Sequence, residues 1–432
     1  SILLGRAIQS SVGHTGIMER TRSPLRERLR EFPAFRALRH RDFRLLWIGA
    51  FFSFTGSWVQ NVAQGWLVFE LTQDEAKLAL VSFCQMVPVF LFGMVAGSLV
   101  DTMNRRFLLT LSQSVYAVSA LFLAWATATG TIAYGQILVV SLVNGLMSTI
   151  EIPARQSLLS RVVPPDDLPA AVPINALTFN AARMIGPAIG GFLLAKYGVQ
   201  TCYLVNGLSY SALILAVLAI RADLSAESRE PSPIRDLVLE GVRYTLRDAR
   251  LRALFMMECC TSIFGIFYLS LMPAIAKELL GLGKVGLGQA MTSVGVGAVI
   301  GLASLAGISH LPIKPLLIRL SMAGLGLGLV GLTFAAGPWL AFPLFALIGM
   351  ASVVQFNTTN TLFQLLSPPN LRGRVIAMHV WALSGLSPFG TLFFGWLASV
   401  AGLRVAIGSG AVVMLVGTTL AWVHRGRLAG VH

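Results

Sequence analysis

The chain has 432 residues, of which 55% belong to the hydrophobic set and 12% carry a charge. Ordinary soluble domains carry about 25% charged residues, so this composition excludes a typical water-soluble protein and predicts a membrane protein. The net charge of +14 leaves nucleic-acid binding to be considered, and the position of the basic residues decides that question.

Twelve apolar segments follow one another along the chain, most of them near the ~20 residues that cross ~30 Å of hydrocarbon as a helix. The first six are predicted at 43–69, 78–100, 107–129, 133–153, 170–195 and 199–220. The second six are predicted at 253–275, 285–308, 315–336, 339–363, 375–400 and 404–423. We therefore predict an all-α membrane protein with twelve transmembrane helices in two pseudo-symmetric six-helix bundles.

A charged stretch after the sixth predicted helix divides the chain into parts. We predict a cytosolic basic N-terminal segment, a first bundle, a cytosolic linker, a second bundle and a cytosolic tail at 1–42, 43–220, 221–252, 253–423 and 424–432. Within the linker, apolar residues recur near one face between Leu237 and Leu246. This pattern predicts an amphipathic helix over 234–252 that lies on the membrane surface.

The basic residues are concentrated in alternate loops and at both ends of the chain. These regions hold 27 of the 33 Lys and Arg residues, and an excess of basic residues marks the cytosolic loops of membrane proteins. We therefore predict a multi-pass protein of the bacterial cytoplasmic (inner) membrane with both termini in the cytosol. The high net charge reflects this topology, and no nucleic-acid partner is expected.

An internal repeat supports two related bundles. Gly97 precedes the pair Pro164-Pro165 by as many residues as Gly301 precedes Pro368-Pro369, and the offset between the halves is 204 residues. Paired halves of this kind place a substrate site at their interface near the middle of the bilayer.

The loop between the second and third predicted helices runs Gly97-Ser-Leu-Val-Asp101-Thr-Met-Asn104-Arg105-Arg106. It resembles the signature loop of the major facilitator superfamily, which usually has a glycine where Asn104 stands. We expect this change to be tolerated because asparagine also adopts left-handed backbone. The resemblance implies that Gly97, Asp101, Arg105 and Arg106 form a gating motif that latches the two bundles on the cytosolic side. The alternative is an ordinary charged loop.

The fifth predicted helix contains Ala182-Arg183-Met-Ile-Gly186-Pro187-Ala-Ile-Gly190-Gly191. This segment resembles a motif shared by the exporters of the superfamily. Glycines four apart permit close helix contact, and a proline loosens the backbone and bends a helix. Gly186, Pro187, Gly190 and Gly191 are therefore predicted to serve export, with plain helix packing as the alternative.

Further segments resemble one branch of the superfamily. They are Ile152–Leu159, Pro164–Leu168 and Leu371–Val375, together with the motif in the fifth helix. The branch contains bacterial siderophore (enterobactin) exporters and macrolide efflux pumps, and the likeness runs from about residue 35 to 420. It implies export of a small molecule without identifying that molecule.

Ionisable side chains inside membrane segments are candidate functional groups because each is costly to place there unpaired. In the fourth predicted helix, Asn144, Glu151 and Arg155 are spaced to lie on one face. In this superfamily the fourth helix is one of those that line the cavity. Glu151 is therefore a candidate proton carrier, and the alternative is a structural pair between Glu151 and Arg155.

Arg183 and Glu258 are two further candidates for coupling or substrate contact. Arg183 is predicted near the middle of the membrane, where Glu151, backbone carbonyls or an anionic substrate would satisfy its guanidinium. Glu258, near the start of the seventh predicted helix, either binds a proton or extends to the cytosolic surface.

Neutral polar side chains in the predicted helices complete the candidate site. They are Asn61, Gln64, Gln355, Asn357 and Asn360. They would hydrogen-bond a polar substrate, or alternatively join neighbouring helices.

No phosphate-binding loop, nucleophile elbow or cluster of metal ligands is present in the sequence, and the four cysteines lack metal-ligand spacing. We expect no enzyme activity, no cofactor and no metal. Without an ATP site, an ion gradient is the expected source of energy.

These features together predict a secondary active exporter. We expect it to move a small organic molecule (a siderophore, a macrolide-like drug or a metabolite) outward in exchange for protons by alternating access. Its expected partners are this substrate, protons and the lipid bilayer, and we expect a monomer. One alternative is a proton-independent facilitator or an importer, and another is a non-transporting membrane receptor or scaffold.

Overall fold

The structure of the protein is a computed structural model. It describes residues 36–225, 234–308, 311, 313–368 and 371–424, and it leaves out the side chains of 94, 95, 97–99, 101 and 234–238. Every regular element in this part of the chain is a helix. The predicted all-α class is confirmed. Most of the predicted N-terminal segment and tail lie outside the described residues.

The first bundle contains six long helices. They are α1 (Arg41–Thr72), α2 (Glu75–Asp101), α3 (Arg105–Ala128), α4 (Tyr134–Val162), α5 (Leu168–Tyr197) and α6 (Val199–Ala219). Short turns join them, so neighbouring helices run in opposite directions. Gly198 forms the turn between α5 and α6 with a φ of +85°, a conformation that favours glycine.

The helix α4 is longer than predicted. We expected it to end at 153, but it continues through Pro153 to Val162. A proline inside a membrane helix is tolerated because neighbouring groups satisfy the backbone carbonyl that it frees. Glu151 and Arg155 consequently lie within one continuous helix.

The backbone conformation of Asn104 differs from the left-handed one expected from the sequence. Its backbone is extended, with a φ of −67°, and its side chain accepts hydrogen bonds from the backbone N–H groups of Arg106 and Phe107 at 2.9 and 3.3 Å. Asn104 therefore caps α3 and does not adopt left-handed backbone. A glycine lacks the side-chain oxygen of such a cap.

The second bundle follows a short linker helix (Ile234–Arg247). Its helices are α7 (Ala249–Phe264), α8 (Lys284–Ile308), α9 (Lys314–Phe334), α10 (Pro338–Leu366), α11 (Arg372–Ala401) and α12 (Leu403–Val423). Beyond α7, the chain continues through 267–279 as a succession of short turns, which we call the α7 extension.

The helix α7 begins four residues before its predicted start. Asp248 caps it by accepting hydrogen bonds from the backbone N–H groups of Arg250 and Leu251 at 2.8 and 3.1 Å. Glu258 is therefore the tenth residue of the helix, about 14 Å from its beginning at ~1.5 Å per residue.

Eleven helices in the described residues are long and apolar enough to cross a membrane. The remaining long helix is α1, which has 32 residues and buries Ser53, Gln60 and Gln64 within the first bundle. Those polar side chains are enclosed by the bundle. With α1 included, the twelve predicted helices are present.

The helix bounds repeat between the two bundles. Both ends of α4 and α10 differ by 204 residues, and so do both ends of α5 and α11 and of α6 and α12. The offset inferred from two glycines and two proline pairs therefore extends to three whole helices in each bundle.

One face of the molecule holds the helix ends nearest the two chain termini, and we call it the terminal face. There Arg41 at the start of α1 donates a hydrogen bond to the backbone carbonyl of Ala219 at the end of α6, at 3.0 Å. The linker helix packs near the start of α11 through an ion pair between Glu240 and Arg374.

Candidate functional site

The two bundles make close backbone contact along α5 and α8. A Cβ atom added to Gly191 would lie 2.9 Å from Cα of Gly288, and one added to Gly295 would lie 2.6 Å from Cα of Met184. Such distances are too short for any side chain, so glycines permit this approach. The contact lies in the half of α5 away from the terminal face.

Aromatic side chains join α2 to α11. Phe90 stacks on Trp381 with ring centroids 5.3 Å apart, and the indole Nε1 of Trp381 donates a hydrogen bond to the backbone carbonyl of Phe90 at 3.4 Å. The Phe389 ring contacts the rings of Phe83 and Phe90 edge-on, with ring centroids 5.8 and 4.9 Å apart. We call these four residues the aromatic seam.

The helix α1 meets the α7 extension beyond these contacts. A Cβ atom on Gly65 would lie 2.8 Å from Pro273, and Lys277 Nζ donates a hydrogen bond to Gln73 Oε1 at 3.4 Å. All these contacts between bundles extend from the middle of the helices toward the face opposite the termini. The bundles are therefore sealed against each other at that end.

A cavity of about 200 Å³ lies between the bundles beside this seal. Side chains from α1, α2, α8 and the α7 extension line it. The polar lining residues are Asn61, Gln64, Ser82, Gln85 and Ser270. The structure thus brings the two polar candidates predicted in α1 to one cavity, and Asn61 is exposed there.

Two arginines and three aromatic rings form a cluster next to the cavity, which we call the arginine–aromatic cluster. The Arg155 guanidinium lies 4.2 Å from the ring centroid of Phe54, and the Arg183 guanidinium lies 5.8 Å from that of Trp58. The Phe179 ring contacts the rings of Phe54 and Trp58 edge-on, with ring centroids 5.4 and 6.4 Å apart. Trp58 also lines the cavity.

Glu151 pairs with Arg155, which is one of the two alternatives for this residue. Their closest side-chain atoms are 2.9 Å apart, although their angle is not that of a hydrogen bond, and both side chains are largely buried. Glu151 was also a possible partner for Arg183. The structure instead gives Arg183 the Trp58 ring and an electrostatic interaction with Tyr268 of the α7 extension.

A chain of buried hydrogen bonds runs through the first bundle and reaches the cavity. Its members are Ser57, Tyr210, Asn206, Gln60, Gln64 and Ser141, joined by successive contacts of 3.2, 3.2, 2.6, 3.3 and 3.3 Å. Sequence analysis did not find Asn206 and Tyr210, because isolated polar residues in an apolar helix do not reveal their partners. These successive hydrogen bonds fix the side chain of Gln64.

The second bundle contains a buried carboxyl group. Glu258 is 1% exposed, so it does not reach the cytosolic surface as one alternative required. It lies near Thr359 on α10, and neither its Oε2 atom nor the Thr359 hydroxyl has a hydrogen-bond partner in the part of the chain that the structure describes.

The polar side chains around Glu258 have separate partners. Gln355 donates a hydrogen bond to Thr261 at 2.6 Å and so joins α10 to α7. His379 is fully buried, with ring centroids 5.1 and 5.3 Å from those of Phe356 and Phe363. It packs against aromatic rings, and no polar partner for its two ring nitrogens lies among the described residues.

The remaining predicted polar residues are scattered. Asn357 donates a hydrogen bond to the Val353 carbonyl of its own helix at 2.9 Å. Asn144 has a buried side-chain oxygen without a partner in the described residues, and Asn360 is half-buried. The structure therefore does not assemble these three residues into one site.

The gating motif is described only in part. The side chains of Gly97 and Asp101 lie outside the described residues, so the latch stays a prediction. Arg105 is 1% exposed and donates hydrogen bonds to Ser157 Oγ at 3.0 Å and to the Ser225 carbonyl at 2.7 Å. These two bonds connect the start of α3 to α4 and to the linker.

The motif in α5 packs against both bundles. A Cβ atom on Gly186 would lie 2.5 Å from Trp58 of α1, and one on Gly190 would lie 3.0 Å from Val59. The carbonyl of Pro187 approaches Gly288 on α8. These contacts agree with the packing alternative, and a pivoting role for the motif stays a prediction.

Several curated transporters are similar in sequence. The chain is 25% identical to the staphyloferrin A transporter of Staphylococcus aureus (strain NCTC 8325 / PS 47) over 82% of this chain and 89% of that protein. It is 25% identical to the multidrug efflux pump Tap of Mycobacterium tuberculosis (strain ATCC 25618 / H37Rv) over 81% and 85%. It is also 25% identical to the enterobactin exporter EntS of Shigella flexneri over 88% and 91%.

Solved structures of transporters share the fold. The nucleoside transporter NupG matches with a TM-score of 0.72 and 13% identity over 89% of this chain and 98% of that chain. A bacterial homologue of the human lysosomal transporter Spinster, in an inward-facing and unoccupied conformation, matches with a TM-score of 0.69 and 12% identity over 92% and 98%. A family model described as transmembrane secretion effector matches residues 33–429. The chain therefore belongs to the transmembrane secretion effector family of the major facilitator superfamily.

Proposed function

We propose that the protein is a secondary active exporter that moves a small organic molecule out of the cytosol in exchange for protons. The observation that carries this proposal is the cavity between two bundles that are sealed together at one end. A carrier that works by alternating access needs such a site between two halves that rock against each other. The multidrug efflux pump and the enterobactin exporter among its relatives support outward movement.

The orientation of the seal follows from the charges. Basic residues are concentrated on the terminal face, which the positive-inside rule assigns to the cytosol. With this assignment, the sealed end would face away from the cytosol and the conformation would be an inward-facing state. Substrate would enter the cavity from the cytosol and leave after the seal opens.

Glu258 is the proposed proton carrier. A carboxylate buried without a cation is costly, whereas a protonated carboxyl group can stay inside the bundle. Glu151 fits this role less well because Arg155 already compensates its charge. Glu258 would therefore hold a proton while it is buried and release it when the bundles move or substrate binds.

Purified protein in liposomes tests both parts of the proposal. We would load the liposomes at a lower pH than the bath and add labelled 1-naphthoate, ethidium and erythromycin separately. An exporter coupled to protons should accumulate at least one of these compounds beyond the uptake by protein-free liposomes, and collapsing the pH gradient should abolish that excess. Failure of all three to move, with or without a gradient, would contradict export of small organic molecules.

The substitution Glu258→Gln tests the carrier residue. We expect accumulation driven by the pH gradient to fall at least tenfold, while exchange of internal for external substrate continues, because glutamine resembles a permanently protonated carboxyl group. Glu70→Gln is the matched control, since Glu70 is exposed near the end of α1. Wild-type accumulation by the Glu258→Gln variant would exclude Glu258 as the proton carrier.

A further inference from the structure

We propose that the substrate is a planar aromatic anion, with its negative group on Arg183 and its ring against Phe179 and Trp58. This inference rests on the proposed function, because it specifies the class of molecule that enters the same cavity. Three features support this inference: an uncompensated positive charge in the arginine–aromatic cluster, the exposed surface of its rings and the volume of the cavity.

The charges of the cluster do not balance. Arg155 is compensated by Glu151 at 2.9 Å, whereas the only described partners of Arg183 are the Trp58 ring and Tyr268. Two guanidinium groups and one carboxylate therefore leave one positive charge. An uncompensated charge at this depth is costly, and an anionic ligand would compensate it.

Arg183 is placed to bind from the middle of the molecule. It is the sixteenth of the thirty residues of α5, so it lies about half-way along the helix. A guanidinium that stacks on a ring still has N–H donors along its edge, and these match the two oxygens of a carboxylate. The hydroxyl of Tyr268 is buried without a hydrogen-bond partner among the described residues and provides a further polar group near Arg183.

The aromatic rings provide a surface for a flat ligand. Phe179 is 42% exposed and lies one helical turn before Arg183 on α5, so both side chains are on the same face. Trp58 is half-buried and lines the cavity, and Asn61 is exposed close to it along α1. Offset or edge-on contact with these rings would stabilise a bound ring beyond the burial of its apolar area.

The cavity, which the arginine–aromatic cluster adjoins at Trp58, limits the size of the ligand. Its volume of about 200 Å³ is below the ~300–1,000 Å³ typical of sites for drug-sized ligands. One small ring system with a carboxylate fits that volume. Larger molecules would need the bundles to separate further on the cytosolic side.

Binding of three matched naphthalenes tests the proposed class. The probes are 1-naphthoate, 1-naphthalenemethanol and 1-naphthylmethylammonium, which share a ring and differ in charge. We expect unmodified protein in detergent to bind naphthoate at least tenfold more tightly than either of the others, measured by quenching of tryptophan fluorescence. Equal affinity for naphthoate and the alcohol would overturn the proposal.

Variants assign the binding to the cluster. Arg183→Gln should lose at least tenfold in affinity for naphthoate and little for the alcohol, and Arg183→Lys should fall between the two because it keeps the charge and loses the planar fork. Lys196→Gln, which removes a positive charge from the far end of the same helix, should bind as the unmodified protein does. Unchanged naphthoate binding by Arg183→Gln would contradict the assignment.

A second variant keeps the proposal testable if Arg183→Gln does not fold. Phe179→Leu should reduce the preference for benzoate over cyclohexanecarboxylate at least threefold, because it removes a ring and keeps an apolar side chain. An unchanged preference would exclude Phe179 as the ring contact.

The two proposals fail in different ways. If ethidium or erythromycin is exported while naphthoate binds no better than its alcohol, the aromatic-anion inference is wrong and the exporter proposal stands. If naphthoate binds through Arg183 and no compound crosses the membrane, the exporter proposal is wrong and the anion site stands.

Discussion

Arg183, which is half-buried, and Glu258, which is buried, both lie in membrane helices, but the chemistry of the two side chains differs. Arginine stays protonated in proteins, so Arg183 keeps its charge and needs π-electrons, hydroxyl groups or an anion around it. A carboxyl group can instead become neutral by taking up a proton. The first bundle thus contributes a fixed charge to the middle of the molecule, and the second contributes a group whose charge can change.

Asp101 provides a prediction at the scale of a single residue. If the signature loop latches the bundles on the cytosolic side, Asp101→Asn should lower the transport rate at least fivefold and leave the affinity for substrate within about twofold. The reason is that the latch stabilises a state of the cycle and does not contact substrate. Transport rates and binding constants in the same liposomes measure the two effects.

Asp166→Asn is the control for Asp101, because Asp166 is an exposed aspartate that precedes α5. A normal transport rate for Asp101→Asn would contradict the latch. An equal loss in the Asp166 variant would indicate a general requirement for negative charge on this face.

The candidate residues could be named from the sequence, whereas their partners could not. The spacing of Glu151 and Arg155 indicates a pair within one helix, and the structure contains it. Phe179 carries no such signal, since a phenylalanine in an apolar helix has the same pattern whether it contacts lipid or lines a cavity. Only the rotation of α5 against α1 places its ring beside Trp58.

At the scale of helices, the seal between α5 and α8 gives a further prediction. A methyl group at position 288 would lie 2.6 Å from the Pro187 carbonyl oxygen. Gly288→Ala should therefore weaken the seal and increase the population of molecules open on the outer side. In a variant without the four native cysteines, Asn61→Cys should react at least threefold faster with an impermeant maleimide added from outside.

The matched control for Gly288 is Gly283→Ala. Nothing lies within 4 Å of a Cβ atom at Gly283, so this change should leave the labelling rate of the cysteine at position 61 unchanged. Equal labelling in the Gly288 and Gly283 variants would show that the glycine contact does not hold the seal closed.

Helix positions were predictable to different degrees. Long apolar runs indicated the twelve helices, because each must cover the hydrocarbon core. The predicted end of α4 was wrong because the apolar run stops at about residue 153 whereas the helix continues through polar residues to Val162, and the breaks in the α7 extension were not predicted. Apolar composition does not distinguish a straight helix from a broken one when neighbouring segments satisfy the backbone.

At the scale of the whole molecule, the packing of glycines is repeated in the two bundles. Gly186 contacts α1 of its own bundle and Gly191 contacts α8 of the other bundle. The residues 204 positions later, Gly390 and Gly395, contact α7 and α2 in the same way. The sequence repeat therefore predicts equivalent helix contacts, although the charges are not repeated.

The orientation of the whole molecule can be tested with fusions. We expect green fluorescent protein attached after His432 to be fluorescent, because the C-terminus is assigned to the cytosol by its positive charges. Alkaline phosphatase inserted at the turn between α5 and α6 should be active, since it folds only outside the cytosol. The opposite result for both reporters would place the sealed end in the cytosol and would overturn the inward-facing assignment.

The helix α11 contains a π-helical turn at Trp381–Gly385, whereas α5 is a regular α-helix over the equivalent positions 177–181. In the turn, the carbonyl of Leu383 accepts a hydrogen bond from Ser262 of α7 at 2.6 Å. A π-helical turn contains one residue more than an α-helical turn. Because Ser262 satisfies the Leu383 carbonyl in this turn, a change between the π-helical and the α-helical form costs less free energy. The turn begins at Trp381 of the aromatic seam, so a change of winding there would shift the α2–α11 contact. The seal, which also includes the glycine contact of α5 and α8, would then begin to open along the aromatic seam.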